Sequence, residues 1–430
     1  MNVARKKLLI LASKLGYQTR GFAEAAESLG IEIHFATDRC HKLDDPWGDG
    51  ALPLHFENPQ DAAKEIVTRF ASDQPDAILA LGDRPTPTAA YAARTLGISG
   101  NYPEAVERCR SKLAQREALR AAGLPVPKFW SFTFHEPVES VTQQVKFPCV
   151  LKPLFLAASQ GVIRADNEMQ FRAALSRIHL LLESPAIQVT REPSLDRVLV
   201  EEYIPGREVA VEGLLDHGQL EILAIFDKPD ALEGPYFEET IYVTPSRLAK
   251  MQQSVINDCA ARAIHAIGLT HGPVHAEFRI NEQGPWVLEI APRPIGGLCS
   301  RALRFGPQRI SLEELLLRHA LVLGGANVER EPEASGVMMI PVPRSGTFER
   351  VEGLEDAGRV PGVTEILITA RLKDYVAAWP EGSSYLGFIF ARAKTPNEAE
   401  AALRAAHAKL SFEFSPRLPV EHPITGRISA

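Results

Sequence analysis

The first hundred residues alternate short apolar runs with more polar, helix-like stretches. KLLILA (7–12), IEIHFAT (31–37) and AILALG (77–82) read as strands, and the segments that run to Gly30 and that follow Gly82 read as helices. Strands alternating with helices predict βαβ units and a parallel sheet. The turn after the first run, SKLGYQTRG, lacks GxGxxG, so the expectation is a Rossmann-like unit without a dinucleotide site. A helix is predicted over residues 111–122, stopping at Gly123 before LPVP. PCVLKP and DRVLVE are strand-like and flank a helix near 168–183. Further strands, a helix near 247–267 and a hairpin fill residues 201–328. LGGANVEREPEASG (323–336) has the glycine, proline and polar content of a linker. Beyond it GVMMIPV, TEILITA and YLGFIFARA are strand-like, PNEAEAALRAAHAKL is helical, and SPRLPVEHPITGRISA reads as a frayed tail. The fold class expected is α/β with α+β, in four stretches: 1–107, 108–204, 205–328 and 329–430.

Composition narrows the classes. A chain of 430 residues at roughly 100–200 residues per domain suggests about three domains. Hydrophobic residues at 45% and charged residues at 23% supply real cores and argue against disorder. The formal charge of −7 argues against a nucleic-acid or anionic-membrane binder, while leaving room for a small anionic ligand held by a few lysines. The start resembles a signal peptide only briefly: the apolar core at 8–12 is too short, and Lys14 interrupts it. No run is long enough to span a bilayer. Cys40, Cys109, Cys149, Cys259 and Cys299 form no CxxC pair, which predicts reduced thiols in a cytoplasmic protein.

The sharpest chemistry lies in HAEFRINEQGPWVLEIAPRPIGG (275–297). Two strand-like segments flank a turn. A turn centred on Gln283 sets Glu277 opposite Glu289, with Cβ atoms roughly 5 Å apart. Two bare carboxylates at that distance repel by roughly 3 kcal/mol at an effective dielectric near 20. Mg²⁺ answers that repulsion, since it binds one or two carboxylates together with phosphate oxygens. Arg293, four residues on, has the charge to stabilise a transferring phosphoryl group, or simply to neutralise the glutamates. In VLVEEYIPGREVAVEG (198–213), the strand end at Glu201 and Ile204 and the carboxylate of Glu208 suit a flat base and its ribose; a solvated hairpin is the plainer alternative. Lys112 at a helix start and Lys152 at a strand end are candidate phosphate ligands, with a surface lysine as the plainer alternative for each alone, and LAASQGV after Lys152 is a candidate cover over phosphates.

The ordered set SKL...REALRAAGLPVP, FPCVLKPL, VEEYIPGREVAVEG and HAEF...LEIAPRP, behind a Rossmann-like front unit, resembles the ATP-grasp superfamily over residues 1–310. The resemblance implies a pre-ATP-grasp unit at 1–107 and an ATP-grasp core whose first part, 108–204, includes a small lid subdomain. It places the metal and substrate site at 205–328. Lys112 and Lys152 would contact ATP phosphates, Glu201 the adenine amino group, Ile204 the adenine through its backbone, and Glu208 the ribose. Glu277 and Glu289 would bind one or two Mg²⁺ ions; Ala291 stands where many members have Asn. Three subfamilies compete. The region DKPDALEGPYFEETIYVTPS (227–246) lacks the Cys-Ser-x-Gln-Arg-Arg run of biotin carboxylases. IGGLCS after the arginine replaces the His-Asn-Ser-Gly-His segment of purine-pathway carboxylases. Dipeptide-forming L-amino acid ligases are similar in the EET...PS and Pro-Arg-Pro...Gly-Gly runs. Their substrate glutamate matches Glu239, and Tyr242 stands where they have His. A carboxylate–amine ligase using ATP and Mg²⁺ is therefore the expected function, with Glu239, Tyr242 and Arg293 toward amino-acid-like substrates and with room for a homodimer. A carboxylase and an ATP-binding sensor are the alternatives.

Overall fold

The computed structural model describes residues 5–13, 17–38, 51–324, 328–416, 420–421 and 428–429. Residues 14–16 of the turn after the first strand, Cys40, residues 325–327 of the expected linker and most of the expected tail lie outside the described residues.

The N-terminal unit follows the apolar runs. Strands β1 (Lys7–Ala12), β2 (Glu32–Thr37), β3 (Ala51–Pro53) and β4 (Ala77–Leu81) form a parallel sheet in the order β3-β2-β1-β4. Helices α1 (Tyr17–Leu29), α2 (Pro59–Arg69) and α3 (Thr86–Leu96) connect and cover it. β1 is buried on both faces: Leu8 and Ile10 join one cluster, Leu9 and Leu11 another, as a parallel strand between helical layers requires. The carboxyl end of β4 delivers Asp83, at the edge where open parallel sheets bind ligands.

Helices α4 (Pro103–Arg110) and α5 (Lys112–Ala121) lead into a four-stranded antiparallel sheet. It comprises β5 (Phe129–Thr133), β6 (Cys149–Pro153), β7 (Ile163–Ala165) and β8 (Arg197–Glu202), in the order β5-β8-β6-β7. The short α6 (Val138–Thr142), the long α7 (Glu168–Glu183) and α8 (Pro185–Gln188) accompany this sheet. Phe171, Ala174 and Ile178, on one face of α7, are buried with Leu151 and Val198.

The central sheet has eight strands. β9 (Arg207–Asp216), β10 (Gln219–Lys228) and β11 (Ile241–Thr244) precede α9 (Lys250–Ile267), and the hairpin β12 (Gly272–Asn281) and β13 (Gly284–Ala291) follows it. Along β9 the faces alternate: Val209, Val211 and Leu215 pack under α9 with Ile256 and Ala263, while Ala210 and Leu214 join the cluster that includes β1 and α1. Beyond the hairpin come α10 (Leu312–Ala320), β14 (Ala334–Ile340), β15 (Gly346–Glu352), α11 (Leu354–Gly358), β16 (Val363–Ile368), β17 (Tyr375–Val376), β18 (Gly387–Ala393), α12 (Pro396–His407) and β19 (Ser411–Ser415).

The sheet order is β13-β12-β9-β10-β11-β14-β18-β16. The stretch from 329 therefore does not build a sheet of its own around GVMMIPV. β14 pairs with β11 in register Ile241↔Met338 and extends the central sheet, which keeps β11 from presenting an open edge. A separate small sheet, β17-β15-β19, lies beside it. The expected linker is likewise shorter than its composition suggests. Glu331 is buried and held by Arg392 and by Arg309 at 2.8 Å, and Ala334 already begins β14.

Candidate active site

The hairpin β12–β13 turns on two residues, Glu282 and Gln283, because Asn281 pairs with Gly284. Carried without a break, that register would set Glu277 against Leu288 and turn Glu289 to the other face. A β-bulge between Glu277 and Phe278 restores the pairing Glu277↔Glu289. The two residues are thus register partners on one face of the hairpin, for a reason other than a turn centred on Gln283.

Glu277 is drawn into a charged cluster built on three neighbouring strands. Lys228, at the end of β10, is buried, and its ammonium lies 2.8 Å from Glu208, 3.2 Å from Glu277 and within bonding distance of Glu239. The carboxylate oxygens of Glu208, Glu239 and Glu277 approach within 4.8 Å of one another. Burial opposes charge on Lys228, but Glu208, Glu239 and Glu277 outweigh it and hold the ammonium protonated. Burial and the adjacent Glu277 push Glu239 up to about 7, against the pull of Lys228. Burial also acts to raise Glu277, but Lys228 and His275 hold it well below the carboxylate range. The Tyr242 hydroxyl donates to Glu239 at 2.7 Å, and its ring lies 5.7 Å from that of Phe226. Burial and Glu239 keep this phenol protonated.

His275 sits two residues before Glu277 on the same strand face. It bridges the partly buried Glu277, at 3.2 Å, and the buried Glu212, its register partner on β9. Burial alone would lower the imidazole, but Glu212 raises it to about 9.

The lysines meet a second carboxylate. Ser111 caps α5 by accepting the Ala114 amide at 3.3 Å, which sets Lys112 in the first turn and Arg116 one turn on, along the same face. Arg116 Nε and Lys152 Nζ each lie 2.6 Å from Glu201, whose side chain is almost fully buried. Both Glu201 oxygens already accept from protein cations, Oε1 from Arg116 and Oε2 from Lys152. The Ile204 carbonyl likewise accepts Arg279 Nη1 at 2.8 Å, and Arg279 Nε reaches Glu208 at 3.1 Å. Burial raises Glu201, yet Arg116 and Lys152 hold it at about 2. A folded-state pKa below the unfolded value means that Glu201 contributes stability above pH 4.5 and loses it as pH falls toward 2, roughly 3 kcal/mol in all. The stability gap between wild type and Glu201→Gln should therefore be widest above pH 4.5 and close toward pH 2. Urea denaturation across that range reads the gap, and a gap independent of pH would sink the assignment.

Lys112 donates to the Leu156 carbonyl and lies within electrostatic reach of Glu289, Lys152, Asp83 and Glu201. Arg293 forms a two-point pair with Asp83, Nε–Oδ1 2.9 Å and Nη2–Oδ2 3.3 Å, joining the hairpin to the N-terminal sheet. The loop after Lys152 is tied from a distant part of the chain. Trp379 Nε1 donates to the Ala158 carbonyl at 3.0 Å, the Gly161 amide to Pro380 at 2.8 Å, and Gln160 to Glu381 at 2.7 Å. At Gly161, φ is +72° and a Cβ would lie 2.8 Å from Pro153 Cγ, so the turn requires glycine.

Sequence reasoning missed Arg116, Lys228, His275, Glu212 and Asp83. Two carried a usable signal: Arg116 is one helical turn from Lys112, and His275 shares Glu277's strand face. The cysteines Cys109, Cys149, Cys259 and Cys299 are free, buried thiols.

Three family descriptions match the chain: an ATP-grasp N-terminal domain over residues 23–100, an ATP-grasp domain over 145–302, and L-amino acid ligase C-terminal domain 2 over 338–415. The chain is 27% identical over 339 residues to the uncharacterized protein y4rH of Sinorhizobium fredii, covering 76% of this chain and 66% of that one. It is 27% identical over 256 residues to the alanine–anticapsin ligase of Bacillus amyloliquefaciens, covering 56% of this chain and 53% of that one. The matched region thus spans between about half and two thirds of these curated relatives. A solved L-amino acid ligase from Bacillus licheniformis superposes with a TM-score of 0.80 at 26% identity, covering 96% of this chain and all of that one.

Proposed function

We propose, for a chain that belongs to the ATP-grasp superfamily, the activity of an ATP-dependent carboxylate–amine ligase that joins amino acids through an acyl phosphate and releases ADP. The observation that carries this reading is that one ammonium, Lys228, binds Glu208, Glu239 and Glu277 together. The carboxylates assigned to ribose, amino-acid ammonium and metal thereby share one floor. The match of residues 338–415 to an L-amino acid ligase C-terminal domain favours this reading over the carboxylase alternative.

Lys112 and Lys152 are the cations for ATP phosphates, and the strand end at Glu201–Ile204 faces the base through its backbone. The donors at Glu277 and Glu289 are carboxylate oxygens, and among the described residues no cation pairs with Glu289, which fits a hard ion. Those two residues would hold Mg²⁺, which when bound neutralises phosphate charge. Ala291 is apolar and adds no ligand. Glu239 takes the ammonium of the amino acid to be activated, and Tyr242 holds Glu239 in place as a donor. The substrate carboxylate attacks the γ-phosphorus and ADP leaves; the second amine then attacks the acyl carbonyl and phosphate leaves. Arg293, fixed by Asp83, is the guanidinium available to the developing phosphoryl charge.

Measuring ADP formation against a panel of paired amino acids tests the proposal. ADP should form only when a carboxylate donor and an amine acceptor are both present. ATP binding with no amino-acid-dependent ADP would return the sensor reading, and ADP formation driven by bicarbonate would return the carboxylase. Among the described residues no helix is long and apolar enough to cross a membrane.

A further inference from the structure

We propose that Asp216, His271 and His319 form a binding site for a zinc-class divalent cation, separate from the Lys228 cluster. Asp216 is the last residue of β9, His271 immediately precedes β12, and His319 lies in the last turn of α10. The fold brings one donor atom from each within 4.8 Å of the others. His319 Nε2 stands 3.8 Å from Asp216 Oδ1, and Nε2 of His217 approaches the same oxygen at 3.8 Å. Bonds of about 2.0 Å from nitrogen to zinc place tetrahedral donors about 3.3 Å apart, so small side-chain rotations close the site.

The donors are prepared for a cation. His319 Nε2 is buried and has no hydrogen-bond partner, while the backbone of Leu215 hydrogen-bonds the same ring. A backbone partner at one ring nitrogen that leaves the other bare is the arrangement metal-bound histidines show. The His271 and His319 rings lie 4.8 Å apart, a spacing that disfavours charging both. The backbone is also fixed. Asn101 accepts the Thr270 and His271 amides at 2.7 and 3.0 Å and donates to the His271 carbonyl at 2.7 Å. The Gly218 amide ties the β9–β10 turn to Thr270 at 2.8 Å. Asp216, with its side chain 66% exposed, opens the site to solvent, and His217, 90% exposed, or a water completes four-coordination. Two imidazoles and one carboxylate select Zn²⁺ over Mg²⁺, which prefers all-oxygen ligands.

The test is titration of the metal-free full-length protein with Zn²⁺, read by calorimetry, and with Co²⁺, read by visible absorption. Wild type should bind one Zn²⁺ per chain at this site, with a tetrahedral Co²⁺ spectrum. Asp216→Asn, a change at an exposed residue that leaves the fold alone, should weaken Zn²⁺ binding at least about tenfold. His319→Gln should abolish the Co²⁺ signal, and Glu277→Gln should leave both unchanged. Equal Zn²⁺ affinity in wild type and Asp216→Asn would overturn the proposal, as would Zn²⁺ binding that disappears in Glu277→Gln.

Discussion

Replacing Lys228 with Met should destabilise the protein by about 3–5 kcal/mol, the usual cost of removing one partner from a buried ion pair. Glu208, Glu239 and Glu277 would remain within 4.8 Å of one another with their shared cation gone. Each pair of charges at that distance repels by about 3 kcal/mol at an effective dielectric near 20. Arg279 still reaches Glu208 and His275 still reaches Glu277, so Glu239, which keeps only the Tyr242 hydroxyl, is the carboxylate left without a cation. Adding Glu239→Gln to Lys228→Met should therefore recover a large part of the loss, although either change alone destabilises. A chemical-denaturation midpoint for Lys228→Met equal to that of wild type would show that Lys228 is not the cation that holds this floor together. Strictly additive losses in the double variant would show the same of its coupling to Glu239.

Glu289→Gln should behave in the opposite manner. Glu289 makes no ion pair among the described residues, although Lys112 and Arg293 lie within its electrostatic reach, and glutamine is nearly isosteric, so the unfolding free energy should stay within about 1 kcal/mol of wild type. ATP turnover should fall by about 100-fold or more, the scale seen when a group that stabilises transition-state charge is removed. The Mg²⁺ concentration needed for half-maximal rate should rise with it. Wild-type turnover with an unchanged Mg²⁺ requirement would remove Glu289 from the metal site. The two variants separate structural charge from functional charge within one sheet, Lys228 on β10 and Glu289 on β13.

Local pattern made much of this legible. The helix at Glu168–Glu183 and the strands around Lys152 and Glu201 follow from periodicity and end signals alone. The facing glutamates were legible as a pair, but the bulge that makes them face is a one-residue choice of backbone that no residue type at 277–288 announces. Lys228 was hidden because its role depends on three strands converging, and a lysine in DKPD looks like any surface lysine. Asp83 is some two hundred positions from Arg293 in the sequence, and only the docking of two units pairs them. The continuation of the central sheet past residue 329 was hidden for the same reason. GVMMIPV declares a strand, and nothing in it declares that β11 is the neighbour.

The ties between residues 158–161 and 379–381 bear on timing. They join the loop that follows Lys152 to a segment more than two hundred residues further along the chain. Lifting that loop breaks three hydrogen bonds at once, and Arg177, on the helix that packs against the same four-stranded sheet, must also release Glu381. Opening of the loop away from the C-terminal segment is therefore coupled to loss of all of these contacts. On the proposed reading, the C-terminal unit's hold on this loop would bear on how long spent nucleotide stays bound.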